Sequence, residues 1–231
     1  MTRPITPVER GRFITFEGPE GSGKTTQAAR LADALRKRGL PIVSTREPGG
    51  TVLGERIREI VLSPSDQPVD PLADALLFNA ARRQLVTDVI EPALTAGSHV
   101  ICARFADSTR AYQGYGEGLP LGELDRLEAI ATGGLRPDRT ILLDLPVELG
   151  LARKAPDDQT RFETGFDLSF HQRVRNGFMA MAAAEPTRFV VIDAGADADD
   201  VARRVVRAVD SLFDSGAGDG EPKQPDVRIH R

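Results

Sequence analysis

Residues 18 to 25 constrain this chain more than any other segment. They read Gly-Pro-Glu-Gly-Ser-Gly-Lys-Thr, which matches the phosphate-binding loop pattern G-x-x-x-x-G-K-[ST]. An apolar strand candidate, Phe13–Glu17, precedes this loop, and a helix candidate, Lys24–Arg38, follows it. Glycines let the backbone wrap an anion, and the helix N-terminus adds partial positive charge. The segment therefore predicts binding of a nucleoside triphosphate rather than a glycine-rich turn with an incidental lysine.

Short apolar runs alternate with helical patterns along the rest of the chain. The strand candidates are Phe13–Glu17, Pro41–Thr45, His99–Ala103, Thr140–Leu145 and Phe189–Asp193. The helix candidates are Lys24–Arg38, Gly54–Leu62, Pro71–Ala96, Leu121–Thr132, Val147–Arg153, Phe166–Ala184 and Asp199–Phe213. Apolar strands separated by helices predict a parallel sheet covered on both faces, with ligands at the C-terminal strand ends. We expect an α/β fold of the P-loop NTPase type, in three α/β/α layers around five parallel strands.

Length and composition indicate a single domain. A chain of 231 residues that is 40% hydrophobic can bury one core and leaves little room for a second. Residues 1–11 are expected to form a flexible arm and residues 12–213 the domain. Residues 214–231 are poor in apolar groups and are expected to be a disordered tail.

Charge and cysteine content narrow the classes of partner and compartment. The net charge of −4 shows no general attraction to nucleic acid or to an anionic membrane. The single cysteine, Cys102, lies in an apolar run and rules out an intrachain disulfide, so a cytoplasmic location is expected. The first residues have no apolar signal-peptide core, and no run approaches the length of a membrane span.

Two residues of the loop have direct chemical roles in phosphate chemistry. We expect Lys24 to reach the β- and γ-phosphates and the Thr25 hydroxyl to bind Mg²⁺. The chain has no Asn-Lys-x-Asp segment, which a guanine-specific GTPase would be expected to carry. ATP is therefore the expected phosphate donor, although the loop alone does not separate kinases from other ATP-hydrolysing enzymes.

A kinase whose acceptor is itself phosphorylated needs a second cationic pocket. Arg46 and Arg104 each follow a predicted strand, where a guanidinium fork can bind phosphate oxygens in pairs. Arg82 lies one helical turn after Phe78, so an aromatic ring and a guanidinium share one helix face. The alternatives are a solvated helix face for Arg82 and a plain core position for Phe78.

At this point the sequence resembles the thymidylate kinase family from about residue 12 to residue 213. The segments that carry the resemblance are the loop with Thr26 and Gln27, Thr45-Arg46-Glu47-Pro48-Gly49-Gly50-Thr51, Leu76-Leu77-Phe78 with Ala81-Arg82, Ala111-Tyr112-Gln113-Gly114, and Arg161-Phe162-Glu163. The family phosphorylates thymidine 5′-monophosphate (dTMP) to dTDP with Mg²⁺ and ATP, on the way to dTTP. The resemblance also implies a homodimer, packed through helices that include Pro71–Ala96.

The resemblance assigns roles to individual residues. The ATP-binding set it implies is Gly18, Pro19, Glu20, Gly21, Ser22, Gly23, Lys24, Thr25 and Thr26. The acceptor-binding set it implies is Glu20, Arg46, Phe78, Arg82, Arg104, Thr109, Tyr112 and Gln113. In that set Phe78 stacks on thymine, Arg82 and Thr109 contact the thymine edge, and Tyr112 disfavours a 2′-hydroxyl. The implied metal set is Thr25, Glu20 and Glu163.

A polar segment from about residue 153 to residue 163 resembles the mobile lid of these kinases. The phosphate-binding loop has no arginine of its own among its variable positions, so positive charge must reach the migrating phosphoryl group from elsewhere. Arg153 and Arg161 are expected to close over the ATP phosphates, as catalytic residues beside Lys24 and Arg104. The alternative is a charged surface loop.

Three positions depart from the family pattern. Ala103 stands where the family has an aspartate that helps to organise the metal and the acceptor phosphate. Glu117 replaces an arginine, and Thr160 replaces an aspartate. Two alternatives to an active thymidylate kinase therefore stay open at this point. One is a nucleotide-binding homologue with weakened catalysis, and the other is a kinase of a different nucleoside monophosphate.

Overall fold

The structure is a computed structural model that describes residues 9–64, 67–155 and 160–213. The predicted tail, most of the predicted arm, and lid residues 156–159 lie outside the described residues. The domain boundaries at residues 12 and 213 stay a prediction.

Five parallel strands form one sheet at the centre of the molecule. The strands are β1 (Phe13–Glu17), β2 (Ile42–Arg46), β3 (His99–Ala103), β4 (Arg139–Asp144) and β5 (Phe189–Asp193). They are hydrogen-bonded in the order β2-β3-β1-β4-β5, so β1 and the loop that follows it lie in the middle of the sheet. The expected α/β class and the five-stranded parallel sheet are confirmed, with β2 and β4 shifted by one residue from their predicted bounds.

Ten α-helices connect and cover the strands within the described part of the chain. They are α1 (Lys24–Lys37), α2 (Val52–Leu62), α3 (Pro71–Leu85), α4 (Glu91–Thr95), α5 (Ala106–Thr109), α6 (Leu121–Thr132), α7 (Val147–Ala152), α8 (Arg161–Thr164), α9 (Leu168–Ala184) and α10 (Ala198–Asp210). Two π-helical segments, Val86–Ile90 and Arg110–Gly116, continue α3 and α5. None of these helices has the length and apolar character needed to cross a bilayer.

The residues of β1 alternate between two hydrophobic layers. Ile14 and Phe16 pack into a cluster with Leu31 and Leu35 of α1 and Val205 of α10. Phe13 points to the opposite face and packs in a cluster with the end of α3 and with β3. All five residues of β1 are buried, as expected for a central parallel strand covered on both sides.

Two helical regions differ from the sequence expectation. The predicted helix Pro71–Ala96 is interrupted by the π-helical turn at residues 86–90 before α4 begins. The helix from Ala106 to Gly116 was not predicted, because its small and polar residues show no apolar period. It forms because α9 packs against it, with the Tyr115 ring so close to Gly177 that a Cβ there would overlap the ring.

The layered core predicts a clear difference between buried and exposed leucines. Leu35→Ala removes a fully buried side chain from the cluster between the sheet and α1. We expect the free energy of unfolding to fall by about 2–5 kcal/mol, because a cavity is left behind. Leu168→Ala is the control, since Leu168 is 49% exposed, and should cost less than about 1 kcal/mol. Urea denaturation of both variants measures the difference, and equal losses would contradict this packing.

Candidate active site

The phosphate-binding loop spans the turn from β1 into α1, at the centre of the C-terminal edge of the sheet. Gly18 and Gly21 have positive φ angles of 142° and 68°. A Cβ on either one would overlap a backbone carbonyl oxygen, that of Leu143 or Gly150 respectively. Close approach of β4 and α7 to the loop therefore requires glycine at both positions.

Lys24 lies folded over the inside of this loop. Its ammonium donates to the carbonyl oxygens of Gly18 at 2.9 Å and Pro19 at 2.7 Å, and to the Ser22 hydroxyl at 3.2 Å. Burial and the positive charge of Arg104 lower the pKa of the Lys24 ammonium to about 7. A bound polyphosphate would supply the negative charge that favours the protonated form.

Arg104 is held in an unusual backbone conformation directly after β3. Its φ of 67° is the only positive value at a non-glycine residue among the described residues. This left-handed geometry is uncommon for side chains of this kind and is typical of functional sites. The backbone N–H of Arg104 donates to the carbonyl of Phe16 on β1 at 2.8 Å, so the strained residue is fixed to the sheet.

Glu20 joins Arg104 to Tyr112 across the site. One carboxylate oxygen of Glu20 accepts from the Arg104 guanidinium and from the Tyr112 hydroxyl, both at 2.6 Å. Burial by itself raises the pKa of the Glu20 carboxyl, but the charges of Arg104 and Lys24 outweigh burial and hold it well below its usual range. Glu20 is therefore ionised, and it connects the phosphate-binding loop to the opposite wall of the site.

A cavity of about 260 Å³ extends from the loop to α3. It brings together most of the residues that the sequence singled out: Glu20, Gly21, Gly23, Lys24, Thr25, Thr26, Arg46, Phe78, Arg82, Arg104, Thr109, Tyr112, Gln113 and Glu163. Gly18, Pro19 and Ser22 accept hydrogen bonds from Lys24 and are not among the residues that line the cavity. Ala103 lies on the cavity wall, where its methyl group offers neither charge nor hydrogen bond.

Arg82 is buried and fully engaged. It donates to the Glu47 carboxylate at 2.9 Å and to the Thr109 hydroxyl at 3.0 Å, and its side chain is 1% exposed. Burial raises the pKa of Glu47 to about 7, although the Arg82 charge acts in the opposite direction. Phe78 is half-buried one turn earlier on α3, near the Phe162 ring. An aromatic ring and hydrogen-bonding groups of fixed orientation therefore meet at this end of the cavity.

Besides Arg82, the arginines Arg46, Arg58 and Arg104 line the cavity. Arg46 pairs with Glu55 at 2.9 Å, and Arg58 donates to the Pro48 carbonyl at 3.0 Å. Burial lowers the pKa of Arg58, and the nearby charges of Arg46 and Arg104 lower it further. Arg58 is a cavity residue that the sequence patterns did not predict. Arg58 lies on α2, one turn after Gly54 and twelve residues after Arg46, and this closeness to Arg46 could have indicated a second cation in the same pocket.

The structure places the lid residues differently from the sequence expectation. Arg161 does not line the cavity: it is buried, pairs with Asp74 at 2.5 Å and donates to the Val61 carbonyl. Arg153 also lies outside the cavity and donates to the Ala194 carbonyl at 3.0 Å. The lid cation that faces the site is Lys154, which was overlooked although it lies between the two arginines in the sequence.

Lys154 lies between two carboxylates, at 2.8 Å from Glu163 and 3.9 Å from Glu20. Glu163 also accepts from the backbone N–H and the hydroxyl of Thr160, which closes a capping box on α8. Glu163 thus serves as the partner of Lys154 and as part of the α8 cap, and its expected role as a metal ligand stays a prediction. Thr160, the departure from the family aspartate, is thus the N-cap of α8.

Among the described residues, no group of three or more histidine, cysteine, aspartate or glutamate side chains is placed to hold a metal ion. The Thr25 hydroxyl and the Glu20 carboxylate do line the same cavity. Mg²⁺ is commonly bound by one or two protein oxygens together with substrate phosphates and water. Thr25 and Glu20 fit that pattern.

Glu17 is a buried carboxyl at the end of β1, and its neighbour Phe16 pairs with Ala103. It accepts from the Phe105 N–H at 2.7 Å and from the Ser108 hydroxyl at 2.6 Å. Burial raises the pKa of the Glu17 carboxyl to about 8, and the Asp107 carboxylate adds to the rise.

Comparisons with known proteins agree with this geometry. A family model described as thymidylate kinase matches residues 16–205. A thymidylate kinase of Deinococcus radiodurans is 50% identical over 202 residues, which cover 87% of this chain and 98% of that protein. One from Synechococcus sp. (strain JA-3-3Ab) is 54% identical over 193 residues, covering 84% and 92%. The crystal structure of thymidylate kinase from Ehrlichia chaffeensis is similar at a TM-score of 0.71 and 36% identity, covering 87% of this chain and 99% of that one.

The buried Glu17 carboxyl makes stability depend on pH in a defined direction. Its pKa is raised from 4.5 to about 8, so between these values the folded protein keeps a proton that the unfolded chain has lost. Stability therefore falls as pH rises through this window. Glu17→Gln does not ionise, and we expect it to reduce the fall between pH 5 and pH 8 by about 1 kcal/mol or more.

Urea denaturation at the two pH values measures this effect. Glu59→Gln, at an exposed position on α2, is the control and should keep the pH dependence of the unsubstituted protein. An unchanged fall in Glu17→Gln would contradict the role assigned to burial of this carboxyl.

Proposed function

This chain belongs to the thymidylate kinase family, and we propose that it transfers the γ-phosphoryl group of ATP to dTMP, giving ADP and dTDP for dTTP biosynthesis. One observation carries the proposal. A single cavity is lined by the triphosphate-binding loop together with the Phe78 ring and four arginines, namely Arg46, Arg58, Arg82 and Arg104. A donor and an acceptor that both carry phosphate can meet there.

The donor phosphates are proposed to bind the loop. Lys24 would exchange its contacts with Gly18, Pro19 and Ser22 for the β- and γ-phosphate oxygens, because an ammonium binds an anionic oxygen more strongly than a neutral carbonyl or hydroxyl oxygen. The N-terminus of α1 adds partial positive charge at the same place. We propose that Thr25 and Glu20 hold Mg²⁺, which when bound neutralises and orients the phosphate oxygens.

The acceptor is proposed to lie across the opposite wall. Arg46, Arg58 and Arg104 bind its phosphate, and Phe78 stacks on its base. Arg82 and Thr109 are already hydrogen-bonded to each other, so the thymine edge meets a pair of fixed orientation. Tyr112, held by Glu20, lies under the deoxyribose. Gln113 donates to Asp74 at 2.9 Å and closes the base end of the cavity.

Charge and position suffice for the reaction. An ionised oxygen of the acceptor phosphate attacks the γ-phosphorus, a new P–O bond forms, and the bond to the ADP oxygen breaks. No strong general base is needed, because the attacking oxygen carries no proton to remove. Lys24 and Arg104 bind opposite ends of the reacting group, and Lys154 supplies lid charge in place of Arg161. Arg153 lies outside the cavity, where it donates to the Ala194 carbonyl.

A second candidate function is a nucleotide-binding homologue with weakened catalysis. Ala103 favours it, since the cavity wall lacks a carboxylate at this position. The intact Lys24, Arg46 and Arg104 favour an active enzyme.

We further propose a cytoplasmic homodimer that binds neither nucleic acid nor membrane. The outer faces of α2 and α3 expose apolar side chains, namely Val52, Leu53, Ile60, Leu72 and Leu76. Exposed apolar side chains on two helices that pack together favour an interface between proteins. The single cysteine, Cys102, is buried and cannot form a disulfide within the chain, and a cytoplasmic location is compatible with this.

An ADP-release assay across several nucleoside monophosphates tests the proposed substrate. We expect dTMP to give the highest kcat/KM, above uridylate and other deoxynucleotides. Phe78→Ala should raise the KM for dTMP by roughly tenfold, since stacking contributes about 1–3 kcal/mol per base. Phe213→Ala, which removes a ring that packs on His99 away from the cavity, is the control. A higher kcat/KM for another monophosphate would overturn the substrate assignment.

The same assay separates the two candidate functions through Ala103. Ala103→Asp restores a carboxylate on the cavity wall, and we expect kcat to rise by roughly tenfold or more, because one charge-organising group typically contributes about 10²–10³ in rate. Ala103→Asn is the uncharged control. An unchanged kcat would show that this position has no catalytic role here.

A further inference from the structure

The helix from Ala106 to Gly116 carries Thr109, Tyr112 and Gln113 and is called the acceptor helix. We propose that Arg188 is a positioning residue that fixes the acceptor helix through Asp107 and thereby sets the preference for a deoxyribose. This inference rests on the proposed function. Arg188 immediately precedes β5 and lies outside the cavity. Its position along the sequence does not indicate a role in the site, whereas its contacts with Asp107 do.

Arg188 and Asp107 form a two-pronged, buried ion pair. The two terminal nitrogens of Arg188 donate to the two carboxylate oxygens of Asp107, at 2.6 Å and 3.0 Å. The side chains are only 11% and 6% exposed. Paired N–H bonds to a carboxylate fix orientation as well as distance, unlike a single contact between mobile surface charges.

This pair is also connected to the centre of the sheet. Arg188 donates to the Thr140 hydroxyl on β4 at 2.8 Å, and Thr140 shares a 2.9 Å hydrogen bond with Thr15 on β1. Asp107 is therefore connected, through Arg188 and Thr140, to β1, the strand that ends at the phosphate-binding loop. Buried polar networks of this kind restrict motion when every member has a partner.

Asp107 lies in the first turn of the helix that continues to Gly116. The next residue, Ser108, donates to Glu17 at 2.6 Å and accepts from Arg104 at 3.4 Å. Tyr112 is one π-helical turn after Asp107, and its hydroxyl accepts from Arg104 at 3.3 Å and donates to Glu20 at 2.6 Å. A shift of this helix would move Ser108 and Tyr112 together, away from partners that are anchored on β1 and β3.

A shift of the helix would change how the site discriminates between acceptor sugars. Tyr112 can exclude a 2′-hydroxyl only while its ring keeps its place under the ribose position. Loss of the pair is expected to relax this placement more than it affects the ATP site, which is built on β1 and α1. The expected signature is thus a loss of discrimination between deoxyribose and ribose acceptors, with ATP binding retained.

The experiment compares three single substitutions. Asp107→Asn removes the ion pair with almost no change of shape, and Arg188→Lys keeps the charge but loses the two-pronged contact. Glu185→Gln is the matched control: Glu185 accepts from the Nε and from one terminal nitrogen of Arg188, each at 3.0 Å, and a glutamine keeps a hydrogen-bond acceptor there while Asp107 stays intact. All proteins are assayed with dTMP and with its ribonucleotide analogue, ribothymidine 5′-monophosphate, and the KM for ATP is measured in parallel.

We expect the ratio of kcat/KM for dTMP to that for the ribonucleotide to fall at least about tenfold in Asp107→Asn, since misplacement by about 1 Å can cost 10²-fold. Arg188→Lys should give an intermediate ratio, and Glu185→Gln should keep the original one. The KM for ATP should stay within about twofold in all three. A simple loss of folded protein would lower both activities equally and leave the ratio unchanged.

An unchanged ratio in both Asp107→Asn and Arg188→Lys would overturn the inference, as would an equal fall in Glu185→Gln. Should Asp107→Asn fail to fold, Arg188→Lys decides the matter by the same ratio. Failure of the unsubstituted protein to phosphorylate dTMP would instead overturn the proposed function. In that case, calorimetric binding of the two monophosphates to the same variants tests the positioning role without turnover.

Discussion

The ion pair between Glu20 and Arg104 joins the two halves of the site. Glu20 belongs to the phosphate-binding loop after β1, whereas Arg104 follows β3 and is held there with a left-handed backbone. Their contact at 2.6 Å sets the distance between the wall that is proposed to hold ATP and the wall that is proposed to hold the acceptor phosphate. The donor and acceptor phosphates repel each other as they approach, so cations must be held between them. Glu20 holds the Arg104 guanidinium in a fixed place for this purpose.

Burial and neighbouring charges shift the pKa values of Lys24, Glu17 and Glu20 away from their usual ranges. Lys24 has a pKa near 7 and Glu17 one near 8, while Glu20 is held ionised by Arg104 and Lys24. Two glutamates three residues apart thus differ in charge at neutral pH. Burial raises the pKa of both carboxyls, but the charges of Arg104 and Lys24 outweigh burial at Glu20. At Glu17 the Asp107 carboxylate adds to the effect of burial, and Arg104 offsets it only in part.

Much of the fold and the site was predictable because local patterns carried the information. The loop from Gly18 to Thr25 has a fixed spacing, and the five apolar strands stand out against the helices between them. Most of the proposed substrate-binding residues follow strand ends and so meet at one edge of the sheet. Arg161, Arg58 and Lys154 were assigned wrongly or missed, because the partner of a charged side chain depends on which distant residue lies nearby. Asp74, which takes Arg161 out of the site, is 87 residues away in the sequence.

By itself the sequence determined the parallel α/β class, the phosphate-binding loop and the family, since these depend on residue spacing within one strand, loop or helix. Only the tertiary structure decided which cations face the cavity, which carboxyls are ionised, and how the helix from Ala106 to Gly116 is held in place. The physical reason is that charge pairing and burial depend on distances between elements far apart in the chain. No spacing along the sequence encodes the contact of Arg188 with Asp107, 81 residues away, which anchors the proposed acceptor helix.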